Sequence, residues 1–129
     1  MVKLDCPYCG KQSHLTSSRE VYGGRDYGPI YLCRPCDAYV GCHPGTTDPL
    51  GRLADKDLRK WKKKAHDAFD PLWKEKARRE ECGNGRARRA GYRWLADQLG
   101  IAFDECHIGM FDIETCQRVT KICSESTSI

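Results

Sequence analysis

Three patterns of apolar and polar positions follow one another along the chain. In the first 43 residues the apolar runs are short. "QSHLTSS" and "GPIYLC" have strand-like content and flank "YGGRDYG", whose three glycines suit a mobile hairpin tip, and "AYVG" reads as a third short strand. "HPGTTDPLG" is then a turn-rich connector. From Ala54 or Asp55 the period lengthens. In "LADKDLRKWKKKAHDAF", Leu58, Trp61, Ala65 and Phe69 fall at near-helical spacing opposite a lysine-rich face. Pro71 is expected to end that helix, with Asp70 and Pro71 as N-cap and first position of a second, "DPLWKEKARREE", closed by "CGNG". A third helix, "RARRAGYRWLADQL", turns Tyr92, Leu95, Ala96 and Leu99 inward and stops at Gly100. "IAFDECHIGM" reads as loop or short strand. A fourth helix, "DIETCQRVTKIC", starts from Asp112 as N-cap and shows Ile113, Cys116, Val119 and Cys123 on one side.

The expected fold class is therefore α+β: a zinc-ribbon-like β module at 1–43, a connector at 44–53, a four-helix region at 54–124 packed with the module, and a frayed tail at 125–129. Trp61, Trp73 and Trp94 recur at apolar helical positions and read as core.

With 129 residues and 40% apolar content, the chain has room for one domain, or a small module fused to a larger one. A β module of some 40 residues buries too little surface to fold alone, so a metal or a partner element has to supply stability. The nine cysteines supply the ligands. Cys6, Cys9, Cys33 and Cys36 form two Cys-x-x-Cys pairs separated by a stretch long enough for a β-hairpin. Two residues between ligands let a tight knuckle offer both sulfurs to one ion, and two knuckles complete the tetrahedral thiolate set that Zn2+ prefers. Gly10 follows the first pair, where left-handed backbone is often needed. Four thiolates leave no open coordination position, so this zinc is structural. Redox use fits less well, because a thioredoxin-type motif has one such pair ahead of a helix in a βαβ setting.

No stretch approaches the roughly 18 apolar residues of a spanning helix, and no apolar leader precedes Cys6. The expectation is a protein of the cytoplasm of a bacterial host, with no membrane partner. In that reducing compartment Cys-x-x-Cys pairs read as metal sites rather than disulfides.

Two Cys-His doublets, Cys42-His43 and Cys106-His107, flank the helical part. A second zinc site from His43, His66, Cys106, His107 and Cys116 is chemically allowed. The alternative is that these cysteines are small buried apolar residues and the histidines hydrogen-bonded caps. His14 reads as a strand side chain. Asp37, directly after the last ligand, is a candidate hydrogen-bond acceptor at the metal site, an anchor for the neighbouring turn, or an acid.

Net charge is +4 but unevenly spread: residues 55–93 carry +7 and the remainder −3. Lys60, Lys62, Lys63, Lys64, Arg78, Arg79, Arg86, Arg88, Arg89 and Arg93 are candidates for phosphate contact, driven by counterion release, with arginine adding bidentate bonds. Glu75, Glu80 and Glu81 are interspersed, as on an ordinary solvated face.

"CPYCG", "YLCRPCDAYVGCH", "PLGRLADKDLR", "AHDAFDPLW", "YRWLADQLGI" and "CHIGMFDIETC" together resemble the zinc-finger-containing proteins of uncharacterised function found in bacteriophages and prophages, from Cys6 to about Ile122. The resemblance implies a small virus-type protein with a zinc module ahead of a helical part. It implies as well that His43, His66 and His107 belong to the shared motifs. It gives no role to Cys42, Cys82 or Cys123, and it supplies no reaction. Three functions follow as expectations. The first is a nucleic-acid-binding accessory factor in DNA or RNA metabolism. The second is a modulator of a host or defence protein. The third is a small metal-assisted nuclease using His43, His66 and His107, with Asp37 assisting, although no carboxylate cluster for magnesium is in view.

Overall fold

The computed structural model describes residues 3–129. Three strands, β1 (His14–Ser17), β2 (Pro29–Cys33) and β3 (Ala38–Gly41), form one antiparallel sheet in the order β1-β2-β3. The register sets Leu15 opposite Tyr31 and Tyr31 opposite Val40. Alternation along a strand then puts these three on one face, together with Cys33. That face is the core of the first unit, where Cys6, Tyr31, Cys33, Ala38 and Leu53 are buried against Leu4, Leu15, Cys36, Val40 and Cys42.

The chain divides into two compact units, Met1–Arg59 and Lys60–Ile129. In the first, segment 44–53 is laid back on β3. Leu50 N–H donates to Gly41 O at 2.9 Å, His43 N–H to Asp48 O at 2.9 Å, and Tyr31 Oη–H to Thr47 O at 2.6 Å. Bridges Cys42–Pro49 and Tyr39–Ala54 bracket the segment, which brings Leu53 into the core. The "YGGRDYG" stretch is also held. It follows a 3-10 turn at Ser18–Glu20, and the buried Ser18 takes the Tyr27 N–H on Oγ at 2.7 Å.

Among the described residues the α-helices number three, not the four expected. They are α1 (Lys56–Arg79), α2 (Asn84–Leu99) and α3 (Ile113–Ser124). The difference lies at Pro71, which stands inside an unbroken α1. Asp70 does not cap a new helix; its Oδ1 accepts the Trp73 Nε1–H at 2.9 Å. A mid-helix proline costs about 3 kcal/mol through its missing donor and its ring clash. Against this, Ala65, Phe69, Trp73 and Ala77 form an i, i+4 row running straight through the proline, and all four are buried. Burial of a large apolar side chain contributes about 1.5–3 kcal/mol, so Phe69 and Trp73 together offset the proline. The start of α1 is where the pattern placed it: Asp55 Oδ1 accepts the Leu58 N–H at 2.9 Å, an N-cap bond.

In the second unit Ala87, Leu95, Ala96 and Leu99 of α2 and Cys116, Val119 and Cys123 of α3 are buried, with Cys106, Ile108 and Phe111 between the helices. Phe69 and Tyr92 rings meet at 4.7 Å. Asp112 caps α3 through the Thr115 N–H, and Gly100 ends α2 in the left-handed region at φ +71°. Arg79 Nη2 donates to the Ile129 carbonyl at 2.7 Å. Among the described residues, no helix is long and apolar enough to cross a membrane.

Pro71→Ala restores the missing donor without touching the core row, and is expected to raise stability by about 1–3 kcal/mol in denaturant titration. A break at Asp70 would leave the substitution neutral or harmful. Gly91→Ala is expected to destabilise by about 1–3 kcal/mol in the same assay, because its Cβ would lie 3.1 Å from both Phe69 Cζ and Trp73 Cβ.

Candidate metal centre

Each cysteine pair sits on a turn whose backbone aims both sulfurs inward. In the first, Gly10 N–H bonds Cys6 O and Cys6 N–H bonds Lys11 O, both at 2.8 Å. This closure requires the left-handed φ of +76° that Gly10 adopts. In the second, the Asp37 N–H bonds Arg34 O at 3.1 Å, and Asp37 takes the equivalent left-handed position at φ +49°. An aspartate pays more strain there than glycine does. Its compensation is Arg59, whose guanidinium donates to the Asp37 carbonyl at 2.8 Å and meets its carboxylate at 3.6 Å. Of the three roles open to Asp37, the geometry supports the anchor of the turn.

The two knuckles bring the four thiols together. Their sulfurs lie within 4.8 Å of one another, and Cys9 Sγ and Cys33 Sγ are 3.7 Å apart. A tetrahedron of sulfurs at the usual zinc bond length of about 2.3 Å has edges of about 3.8 Å. The set is close enough to share one Zn2+, and none of the four forms a disulfide.

Electrostatics points the same way. Burial, then hydrogen bonds to the neighbouring thiols, pushes Cys36 up to about 12. Cys9 is lowered, chiefly by a backbone hydrogen bond from Lys11. Without a cation the cluster cannot carry four negative charges near neutral pH, whereas a bound dication holds all four as thiolates. Cys6, Cys9, Cys33 and Cys36 therefore fit a structural zinc site, closed to water and substrate. Lys11, His14 and Arg34 line a hollow of about 230 Å³ against Cys33, where the two cations Lys11 and Arg34 suit the net −2 of such a centre.

Both knuckles also hold the first turn of α1. Tyr8, inside the first pair, accepts the Asp55 N–H on its phenol oxygen at 3.1 Å, and Arg59 reaches the second knuckle while bonding Ala54 O at 2.7 Å. The sequence pattern missed both residues. Tyr8 is one of several tyrosines, and Arg59 is one cation in a basic run.

The other candidates separate. Among the described residues, the four cysteines are the one group of three or more Cys, His, Asp or Glu side chains close enough to share an ion. His43 is an exposed residue of the 43–48 turn in the first unit. In the second unit, His66, Cys106, His107 and Cys116 do not gather into a ligand set. His66 Nδ1–H donates to the Lys62 carbonyl of its own helix at 3.0 Å, and exposed His107 lies 6.2 Å from the Tyr92 ring. Burial pushes Cys106 and Cys123 each up to about 11, so these thiols stay protonated and pack as small apolar groups.

The basic residues divide by what they touch. Arg79 is engaged by Glu75, Glu80 and the Ile129 carbonyl. Arg88 lies 5.7 Å over Tyr92 and Arg93 4.9 Å over Phe103. Lys62 is half-buried, whereas Lys60, Lys63, Lys64, Arg78, Arg86 and Arg89 are exposed. Exposed Lys74, absent from the sequence candidates, falls on the same α1 face as Lys60, Lys63 and Arg78.

A family model for a zinc-finger-containing domain matches residues 2–126. The chain belongs to that family. No curated protein sequence and no solved structure matches the chain. The four-cysteine cluster of the first unit fits a structural zinc site within that zinc-finger domain, which supports a small zinc-binding protein of α+β architecture.

Metal affinity should rise with pH. In the metal-free site Cys36 titrates far above neutrality, so zinc entry expels protons and acid opposes it. Competition with a chromophoric chelator from pH 6 to pH 8, values bracketing neutrality where thiols begin to ionise, is expected to show steadily tighter binding. Constant affinity would contradict a thiolate site.

Proposed function

We propose that this protein is a nucleic-acid-binding accessory factor in DNA or RNA metabolism, of phage or prophage type, working in the cytoplasm of a bacterial host. The observation that carries the reading is the outer face of α1. Lys60, Lys63, Lys64, Lys74 and Arg78 are all exposed there, with Asp67 among them and Asp57 and Glu75 along one edge. At 1.5 Å per residue, the row from Lys60 to Arg78 is about 27 Å long. Five cations on one rigid rod suit a row of phosphates, and a helix holds them there at little entropic cost.

The internal ion pairs on this face are weak competitors. Lys63 meets Asp67 at 2.8 Å and Arg78 meets Glu75 at 3.4 Å, both as solvent-exposed pairs. Such pairs contribute about 0.3–0.5 kcal/mol, and a phosphate backbone outbids them by releasing counterions. On this reading the zinc site takes no chemical part.

The test is a salt titration of DNA and RNA binding, duplex and single-stranded, for the native chain and for a Lys60→Glu, Lys63→Glu, Lys64→Glu triple variant. Each phosphate contact steepens the plot of log affinity against log salt by about 0.9 on duplex and 0.7 on single strands. The variant is expected to bind more weakly, with its slope flatter by about two to three units. Absence of binding to every form at about 50 mM salt sinks the reading.

A further inference from the structure

The connector between β1 and β2 carries two large aromatic rings in solvent. Tyr22 is 45% exposed and Tyr27 68%. They do not hang loose. Their rings meet edge to face at 5.3 Å, and Tyr22 packs edge to face on Tyr39 at 5.9 Å. Tyr39 is pinned in turn by the Arg59 guanidinium, 4.1 Å over its ring. The backbone beneath is equally fixed. Ser18 Oγ accepts the Tyr27 N–H, Ser18 N–H donates to Gly28 O at 3.0 Å, and Asp26 Oδ1 accepts the Gly28 N–H at 2.9 Å. Asp26 keeps its charge and forms a long, exposed ion pair with Arg19 at 4.0 Å, while Glu20 is drawn to Arg34. Arg19 and Arg25 stand exposed on the same connector as the two tyrosines.

We infer that Tyr22 and Tyr27 form a stacking platform for unpaired bases, so that the nucleic acid bound by this protein is single-stranded. The inference rests on the proposed nucleic-acid reading and narrows its substrate class. Aromatic faces held in place before binding offer every base a π surface with little entropy left to lose, while flanking arginines attract the phosphates between bases. A duplex hides its base faces inside the stack and gains nothing from such rings. A protein partner would use the tyrosines as well, but the paired arginines favour a polyanion.

Binding of labelled single-stranded DNA and RNA of about 20 nucleotides, and of a duplex of the same length, separates the possibilities. The chains compared are the native protein, Tyr22→Ala/Tyr27→Ala, Tyr22→Trp/Tyr27→Trp and the Lys60, Lys63, Lys64 triple variant. Zinc content per chain checks that each one folds. The alanine pair is expected to weaken single-strand binding at least about tenfold at unchanged salt slope, with duplex binding unaffected. The tryptophan pair should restore it. Native-like single-strand affinity in the alanine pair, or an equal loss on duplex, overturns the platform. If the alanine pair binds normally while the lysine variant fails, the platform falls and the basic-face reading stands. If nothing binds to the native chain, both fall.

Discussion

Four thiols crowded within 4.8 Å are a poor arrangement for a protein without a cation, and the first unit is arranged around that crowding. Its buried cluster consists of two ligand cysteines, Tyr31, Ala38 and Leu53, with a thin rim of partly buried neighbours. Such a core is small for a unit of this size. Zinc binding to structural sites of this kind supplies roughly 10–16 kcal/mol, more than the apolar cluster can. The knuckle geometry, the close of the sheet and the start of α1 all depend on that interaction. Tyr8 and Arg59 carry the dependence outward, since each joins a knuckle to the first turn of α1.

This arrangement separates support from function. A tetrahedral set of four thiolates is complete, so the ion has no position left for water or substrate. His43, His66 and His107 offer no second ion-binding group among the described residues. The proposed recognition surfaces are a basic helix face and a pair of ordered tyrosines. The two use different physics, one long-range and salt-sensitive, the other short-range and dependent on flat contact.

Much of this was legible in the residues. The spacing of Cys6, Cys9, Cys33 and Cys36, the three strands, the start of α1 near Asp55, and the caps at Gly100 and Asp112 follow from local rules that tertiary packing reinforces. Pro71 shows where local rules end. A proline after an aspartate reads as a helix start, and only the continuous burial of Ala65, Phe69, Trp73 and Ala77 decides for one long helix. The histidines failed for another reason. Doublets at Cys42-His43 and Cys106-His107 suggest ligands in the chain, but ligation needs convergence in space, which spacing of that kind does not encode. Asp37 was in view as an anchor of its turn, whereas its left-handed φ and its partner Arg59, 22 residues further along the chain, lay beyond sequence reasoning. The tyrosines were hidden by their setting, since glycines around an aromatic read as mobility until Ser18 and Asp26 are seen to fix the backbone.

The central claim is that one zinc ion, held by four cysteines, organises the first unit. Native mass spectrometry of the chain, followed by the same measurement on Cys6→Ser, Cys9→Ser, Cys33→Ser and Cys36→Ser variants, tests it most directly. The account predicts one zinc per chain, weakened or lost in each variant. A chain that carries no zinc when purified without chelators, or one whose zinc survives loss of these cysteines, would contradict it.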